Sequence, residues 1–364
     1  MRLLTLNAGS SSLKLRVVAD GDRVVHARDL SGPGSEGFEA ELKRALVGLG
    51  ALEAVVHRVV HGGGEFKRAV LLDATVETRL RQFADRAPLH QAPALEVVRA
   101  TRQALPDLPQ VACFDTAFHD ALPAESATLP LPLEWRRAFS LRRYGFHGLS
   151  HAYLGRRALE ILGVSGEELR LVTCHLGSGA SLCAQRGGLS VDTTMGFTPM
   201  EGMVMATRPG SLDPGLVLWL SRQEGIDRRT LDDGLERRSG LKGLAQEGEM
   251  RQLLARREQG DAEATLALGV YLHRLRQLVA AMAAALGGLD GLVFSGGVGE
   301  NSWWIRETCC QGLGFLGVGI DSELNRGGEG DRNVGDGSHP VAVLVLASRE
   351  ELQMALECRR LLQG

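Results

Sequence analysis

The sequence has no long apolar run. Its most apolar helical stretch, residues 279–286, is Ala-rich and far too short to cross a bilayer, which needs about 20 apolar residues. The first residues also lack a charged start followed by an apolar segment and a cleavage site, so no secretory signal is expected. These two absences predict a cytoplasmic protein that has no membrane partner.

The sequence also has few cysteines and no excess of positively charged residues. The six cysteines lie at positions 113, 174, 183, 309, 310 and 358, without a C-x-x-C pair or other metal-ligand spacing. We expect buried thiols in a reducing compartment, with a catalytic cysteine as an alternative. Lysine and arginine total 41 against 44 acidic residues, and no basic run occurs, so no nucleic-acid partner is expected.

What is present is an alternation of strand and helix patterns over 364 residues, a length that favours two domains. Apolar strand-like runs occur at 54–60, 110–114, 169–174, 181–184, 292–294 and 341–346. Apolar residues between 268 and 286 recur at spacings of four and three, which predicts one stripe of a helix. This alternation indicates an α/β fold. The polar, Gly-rich stretch from Asn325 to His339 predicts a surface loop.

Three turns rich in small residues follow strand-like runs. NAGSSS at 7–12 and HLGSGAS at 175–181 each join two strands, and SGGVGEN at 295–301 leads into a predicted helix. Small residues let the backbone approach a ligand, and their N–H and hydroxyl groups suit phosphate. Each turn alone also fits an ordinary turn, and no Walker-type phosphate loop occurs. Together they indicate two similar half-structures around a nucleotide cleft.

Several charged residues occur where a charge requires a partner. Arg58 lies inside the apolar run 54–60, so it needs an anion, either a structural carboxylate or a substrate. Asp115 directly follows a strand, which suits a magnesium ion but equally an Asx turn or a helix cap. His147 and His151 lie beside glycines, and Arg208 lies in a turn, so each has either a structural or a phosphate-binding role.

Ten ordered motifs run along nearly the whole chain: NAGSSSLK, HRVVHGG, APLH, FDTAFH, RRYGFHGLSH, CHLGSGAS, SVDTTMGFTPMEGM, TRPGSLDPG, SGGVGENS and REEL. In these motifs the chain resembles the acetokinase family, which belongs to the sugar kinase, actin and Hsp70 superfamily. The resemblance implies two ribonuclease H-like domains, each with a βββαβαβα core, that close on a nucleotide cleft. The first would span 1–147, completed by a helix at 350–364. The second, 148–349, would bind nucleotide and form a homodimer.

The resemblance also implies roles for individual residues. Asp115, Arg58, His147 and Arg208 would be catalytic, and Asn7 and Glu350 would lie at the metal. A methyl pocket next to Arg58 would consist of Val60, Leu89, Phe146 and Pro199. The nucleotide would contact Ser12, Lys14, His175, Gly177, Ser178, Gly179, Glu249, Arg251, Gly297, Gly299, Glu300 and Asn301.

The implied reaction is reversible, in-line phosphoryl transfer from ATP to acetate, giving acetyl phosphate and ADP. A carboxylic acid with a pKa near ~4 is already ionised at neutral pH, so no general base is needed. The chemistry calls instead for cations, namely arginines, a histidine and Mg²⁺, with Mn²⁺ as the alternative metal. The alternatives are a propionate or other short-chain acyl kinase, and a non-enzymatic ATP-binding relative.

Two departures from the family pattern bear on affinity. Ser178 stands where the family usually has Asn, which shortens one nucleotide contact. Arg349 stands beside Glu350, where its charge is expected to weaken the binding of magnesium.

Overall fold

The computed structural model describes residues 1–9, 12–83, 88–163 and 168–363, with no side-chain description at 88–90. Its strands are β1 Leu3–Ala8, β2 Ser12–Ala19, β3 Arg23–Ser31, β4 Ala54–Val59, β5 Val70–Leu71, β6 Gln110–Phe114, β7 Arg170–Leu176, β8 Ala180–Arg186, β9 Leu189–Thr193, β10 Gly291–Ser295, β11 Arg332–Asn333 and β12 Ala342–Val345. Short 3₁₀ turns occur at Asp20–Asp22, Ala117–His119 and Gly314–Leu316.

The helices in the described part of the chain are α1 Phe38–Leu46, α2 Ala74–Arg81, α3 Pro88–Ala104, α4 Ala124–Ala127, α5 Leu133–Phe139, α6 Gly148–Leu162, α7 Pro214–Leu220, α8 Arg228–Arg237, α9 Gly240–Ala245, α10 Met250–Glu258, α11 Ala262–Leu286, α12 Gly296–Asn301, α13 Trp303–Gln311, α14 Ser322–Arg326 and α15 Glu350–Gln363. None of these helices has the length and apolarity needed to cross a membrane.

The chain divides into two compact units. Unit 1 comprises Met1–Asp120, Tyr144–Tyr153 and Arg349–Gly364, and unit 2 comprises Ala121–Arg143 and Leu154–Ser348. Unit 1 is therefore built from three separate stretches of sequence, of which the last is helix α15. The predicted assignment of nucleotide binding and dimerisation to residues 148–349 stays a prediction.

Unit 1 is organised around a six-stranded sheet with the order β3-β2-β1-β4-β6-β5. Strands β1, β2 and β3 form an antiparallel meander, while β1, β4 and β6 run parallel. Every residue of β6 is buried, as expected for a central strand covered on both faces. Helices α3 and α15 both pack against β1 and β4, so the last helix belongs to the core of unit 1.

Unit 2 repeats this strand plan. Its sheet has the order β11-β12-β10-β7-β8-β9, with an antiparallel meander β7-β8-β9 and parallel β7, β10 and β12. The predicted apolar stripe forms helix α11, which packs on β7, β8 and β9. Asp261 caps its first turn, and Gly287, with a φ of 69°, ends it. The expected fold of two similar α/β halves is confirmed.

The prediction of a surface loop at 325–339 is wrong in part. Asn325 lies in helix α14 and is fully buried, because its side-chain and backbone oxygens accept hydrogen bonds from the buried Arg306. Residues 332–333 form strand β11, which pairs with β12, and Val334 is buried beside it. Polar composition predicted exposure here, but a buried guanidinium and one apolar side chain hold the segment against the sheet.

Candidate active site

Three polar residues of unit 1 lie at one edge of its sheet. Asn7 is near the end of β1, Arg58 is near the end of β4, and Asp115 directly follows β6. Because these three strands are parallel neighbours, their carboxyl ends meet at the same edge. The strand order thus brings together residues that the sequence separates by more than fifty positions.

Arg58 is the centre of this cluster. Its Nε and Nη2 donate to the two carboxylate oxygens of Asp115 at 2.9 and 2.6 Å, and its Nη1 donates to Asn7 Oδ1 at 3.0 Å. The Arg58 side chain is 12% exposed and that of Asp115 is 1% exposed. The structural carboxylate left open as one alternative for Arg58 is therefore Asp115. Within the described part of the chain, the other two of the five guanidinium N–H groups make no hydrogen bond.

Glu350 joins the cluster from the first turn of α15. Its Oε2 accepts from Asn7 Nδ2 at 2.5 Å and lies 3.8 Å from Arg58 Nη1. The metal and catalytic candidates Asn7, Arg58, Asp115 and Glu350 are thus brought together within unit 1.

The electrostatics of the cluster favour a charged guanidinium. Burial lowers the pKa of Arg58, but the negative charges of Asp115 and Glu350 outweigh that effect and raise it above its usual value. Burial raises the pKa of the Asp115 carboxyl, and the ion pair with Arg58 opposes this shift. The cluster thus combines one guanidinium with two carboxylates, whose side chains are 1% exposed at Asp115 and 9% exposed at Glu350.

His147 and its neighbours border Asp115. The backbone N–H of His147 donates to the Asp115 carboxylate, and Gly148 N donates to the Asp115 carbonyl at 3.0 Å. A Cβ at position 148 would overlap that carbonyl oxygen, which explains why this position is glycine. His147 itself has a φ of 55° and a half-buried side chain.

The residues predicted to surround the acyl methyl group are distributed over both units. Val60 and Phe146 are buried in unit 1, and the Phe146 carbonyl hydrogen-bonds with His119 Nε2 at 3.1 Å. Pro199 lies in unit 2, where its carbonyl accepts from Arg208 Nη1 at 2.6 Å. Burial lowers the pKa of Arg208, and Glu236 opposes that shift. The side chain of Leu89 lies outside the described residues.

Unit 2 contains a cavity of about 620 Å³ that gathers many of the predicted nucleotide residues. Gly177, Ser178, Glu249, Arg251, Gly297 and Asn301 all line it. Trp303, Trp304 and Arg257 line it as well, and these three were not predicted. The available signal in the sequence was the pair of tryptophans that follows SGGVGENS, since aromatic side chains commonly line small-molecule sites.

The other predicted nucleotide residues are placed differently. His175 occupies the place in β7 that Asn7 occupies in β1, and Gly179 precedes β8. Glu300 Oε1 accepts from the backbone N–H groups of Gly296 at 2.9 Å and Ser348 at 3.0 Å. Gly299 accepts from Arg306 at 2.8 Å. In unit 1, Ser12 accepts from Gly9 N, Lys14 is exposed, and Ser10 and Ser11 lie outside the described residues.

The unit 1 cluster fits a hard divalent cation. Asn7, Asp115 and Glu350 supply amide and carboxylate oxygens, the donors that Mg²⁺ prefers alongside water and phosphate. A complete protein cage is not required for Mg²⁺, and no group of three His, Cys, Asp or Glu side chains suited to a metal occurs in the described residues.

The similarities to known proteins agree with this geometry. The acetokinase family matches residues 39–356. An acetate kinase from Synechococcus sp. is 49% identical over 311 residues, covering 85% of this chain and 77% of that protein. The crystal structure of Porphyromonas gingivalis acetate kinase has a TM-score of 0.89 at 32% identity, covering 99% of each chain. A propionate kinase from Francisella tularensis has a TM-score of 0.90 at 34% identity, covering 98% of each chain.

The two repeated α/β units and these relatives define a phosphotransferase of the sugar kinase, actin and Hsp70 type. Family membership follows from the length of the match and the level of identity. The chain belongs to the acetokinase family. Enzymes of this family act on acetate with ATP and a divalent metal ion.

Proposed function

We propose that this chain transfers the γ-phosphoryl group of ATP directly to acetate. A carboxylate oxygen of acetate forms the new bond to the γ-phosphorus, and the bond from that phosphorus to the β,γ-bridging oxygen breaks. The products are acetyl phosphate and ADP, and the reverse reaction follows the same path. The single observation that carries this proposal is the Arg58 guanidinium. Asp115 and Asn7 fix it, and two of its N–H groups make no hydrogen bond to any described residue.

The reaction requires charge stabilisation more than proton transfer. Acetate is ionised at neutral pH, so the obstacle is repulsion between an anionic nucleophile and an anionic triphosphate. Arg58 is positioned before substrate binds and therefore needs no rearrangement as charge develops. Arg208 and His147 are the further cations and donors that we assign to the phosphoryl oxygens and the carboxylate.

We assign the divalent metal, Mg²⁺ or alternatively Mn²⁺, to the oxygens of Asn7, Asp115 and Glu350. When bound, the metal neutralises phosphate charge and orients the triphosphate. These residues would hold it directly or through its retained waters. Arg349 remains the departure expected to weaken that binding.

The nucleoside is assigned to the unit 2 cavity. Its volume of about 620 Å³ falls within the range of small-molecule sites, and its lining combines small residues with aromatic and charged ones. Gly177, Ser178, Gly297 and Asn301 lie at the small-residue turns and are assigned to the phosphates and ribose. Ser12, Lys14, His175, Gly179, Glu249, Arg251, Gly299 and Glu300 remain the further residues proposed to bind or support the nucleotide.

Acetate is the proposed substrate, and propionate is the second candidate. Val60, Leu89, Phe146 and Pro199 are assigned to the acyl chain. An apolar pocket separates substrates that differ by one methylene by only about 1–3 kcal/mol. Similarity to a propionate kinase at 34% identity gives the second candidate a specific basis.

We further propose a homodimer and a cytoplasmic location. Helix α7 is apolar over most of its length and contains no buried residue, with Leu216, Leu218 and Trp219 exposed at 41, 58 and 57%. A second copy of the chain is the proposed cover for that face.

The cytoplasm supplies ATP and keeps thiols reduced, in agreement with six buried cysteines that are not in disulfides.

The test is acyl phosphate formation, trapped as the hydroxamate, with magnesium-ATP and acetate, propionate, butyrate or no acid. We expect the largest kcat/KM with acetate and a decline as the chain lengthens. A maximum with propionate would establish the second candidate. No product with any acid, in protein that binds ATP, would overturn the kinase proposal in favour of a non-enzymatic nucleotide-binding role.

A further inference from the structure

An arginine and a tryptophan are stacked in the wall of the unit 2 cavity. Arg257 Cζ lies 3.9 Å from the centroid of the Trp304 ring, and both residues line the cavity. Arg257 lies in the last turn of α10, and Trp304 is the second residue of α13. Met250 and Leu254 precede Arg257 by seven and three residues and line the cavity too, so one face of α10 is turned toward it.

The surroundings of Arg257 differ from those of its neighbour. Arg256 donates to Asp261 at 2.8 Å and to the Ala245 carbonyl at 2.7 Å, which fixes it as a structural residue. In the described residues, the Arg257 guanidinium makes no hydrogen bond and has no carboxylate within 4.0 Å. Stacking on Trp304 is therefore what positions this planar cation at the cavity.

A guanidinium that is backed by an indole on one side presents a flat surface on the other. Aromatic bases stack on arginine planes as well as on aromatic rings, and such stacking contributes about 1–3 kcal/mol per base. A lysine at this position would keep the charge but lose the plane. The arrangement therefore suits a flat, delocalised ligand group better than a phosphate alone.

We propose that Arg257, backed by Trp304, is the stacking surface for the nucleobase of the bound nucleotide. This inference rests on the proposed function, since it assumes that the unit 2 cavity takes ATP and ADP. It adds two binding residues for the base and assigns no role to them in the transfer step. Trp304 acts through Arg257, and is to that extent a positioning residue.

The chain offers a matched control. Arg326 Cζ lies 4.5 Å from the Trp303 ring centroid, which makes a second stacked pair only one residue away. Arg326 does not line the cavity and has Glu307 as a partner at 3.6 Å. R326K changes a similar arginine–tryptophan contact and keeps both Arg257 and Trp304 in place.

The experiment is calorimetric titration of the full-length protein with ADP. We expect R257K and W304A each to weaken ADP binding by about tenfold, and W304F to stay within about threefold of wild type. The double variant R257K/W304A should bind no more weakly than either single one, because the pair acts as a unit. R326K should bind ADP like wild type.

Two results would overturn the inference. Wild-type affinity in R257K shows that Arg257 contributes charge alone, and unchanged affinity in a folded W304A shows that the indole backing is irrelevant. Thermal unfolding of each variant identifies a loss that comes from misfolding, and R257K carries the test if W304A unfolds. Wild-type protein that binds no ADP would instead refute the proposed nucleotide site, and with it the proposed function.

Discussion

Arg58 is held by side chains from three distant parts of the sequence, and this dictates how its role is tested. Replacement by alanine would leave the Asp115 carboxylate, 1% exposed, without a partner, at a cost of about 3–5 kcal/mol. A loss of activity in that variant would combine misfolding with lost catalysis. Lysine keeps the charge beside Asp115 but cannot make the bidentate contact.

We expect R58K to lower kcat by about 10²–10³-fold, the effect of removing one positioned donor in other enzymes. The midpoint of thermal unfolding should stay close to that of wild type. The hydroxamate assay at saturating ATP and acetate measures the change. R99K provides a control, because Arg99 pairs with Glu39 at the surface with 59% exposure. A kcat for R58K within threefold of wild type would contradict the proposed role.

His57, the residue before Arg58, predicts a pH dependence of stability. Burial lowers its pKa to about 4, and a hydrogen bond to Gln110 opposes this. The unfolded chain, with a histidine pKa near 6.5, therefore takes up the proton first as the pH falls. The contribution of His57 to folding is present above pH 6.5 and is lost progressively between pH 6.5 and 4.

Between pH 7 and 5 this one residue should account for about 2 kcal/mol of the lost unfolding free energy. We expect H57Q to reduce the pH dependence by that amount in urea unfolding at the two pH values. Replacing the exposed His26 by asparagine should leave it unchanged. If the unfolding free energy of H57Q depended on pH as strongly as that of wild type, His57 would not be the group responsible.

At the scale of single residues, the sequence predicted that Arg58 needs an anionic partner, but it did not identify that partner. An arginine in an apolar run requires an anion, and that part of the prediction follows from the cost of burying a charge. Identifying Asp115 required the order of β1, β4 and β6, which no spacing in the sequence reveals. Arg257 was missed because its contact with Trp304 joins two helices 47 positions apart.

At the scale of elements, the short helix α12 is fixed from both ends. Arg306, 1% exposed, donates to the carbonyls of Gly299 and Glu300 at 2.8 Å. The Glu300 side chain accepts from the N–H groups of Gly296 and Ser348. The Gly-rich turn therefore owes its conformation to charged side chains from its own helix and the next one.

We expect E300A to lower the free energy of unfolding by about 2 kcal/mol, because two charge-assisted hydrogen bonds are lost. E300Q should lose about half as much, since its amide oxygen still accepts both N–H groups. Hydrogen exchange at Gly296 and Ser348 should be faster in E300A and intermediate in E300Q. E263Q, on the exposed side of α11, is the control. Unchanged exchange in E300A would refute the stabilising role.

The elements that were predicted correctly share a physical property. Helix α11 and the central strands bury a regular apolar set, so periodicity identifies them. Strand β3 was missed because eight of its nine residues are exposed, which leaves no alternation to detect. The prediction of a surface loop at residues 325–339 was wrong in part because Asn325 is polar but buried. A hydrogen bond from Arg306 compensates its burial, and hydrophobicity gives no sign of it.

At the scale of the whole molecule, the exposed apolar helix α7 makes the oligomeric state testable. We expect the wild-type protein to sediment with twice the mass of one chain, and W219E to sediment as the single chain at the same concentration. A charge on that face removes buried apolar area and adds an unpaired carboxylate. W135E is the matched control, because Trp135 is 52% exposed on a different helix. Wild-type protein that sediments as a monomer would overturn the dimer.

The hydrogen bond between Asn7 and Glu350 joins residues 343 positions apart, and so has a consequence for synthesis. At about 5–20 residues per second, a ribosome reaches Glu350 roughly 20–70 seconds after Asn7. All of unit 2 is synthesised in that interval. Until it ends, strands β1, β4 and β6 lack helix α15, which packs on them in the folded protein. Under the proposed function, a nascent chain lacks the completed phosphoryl-transfer cluster, and catalysis begins with the last helix.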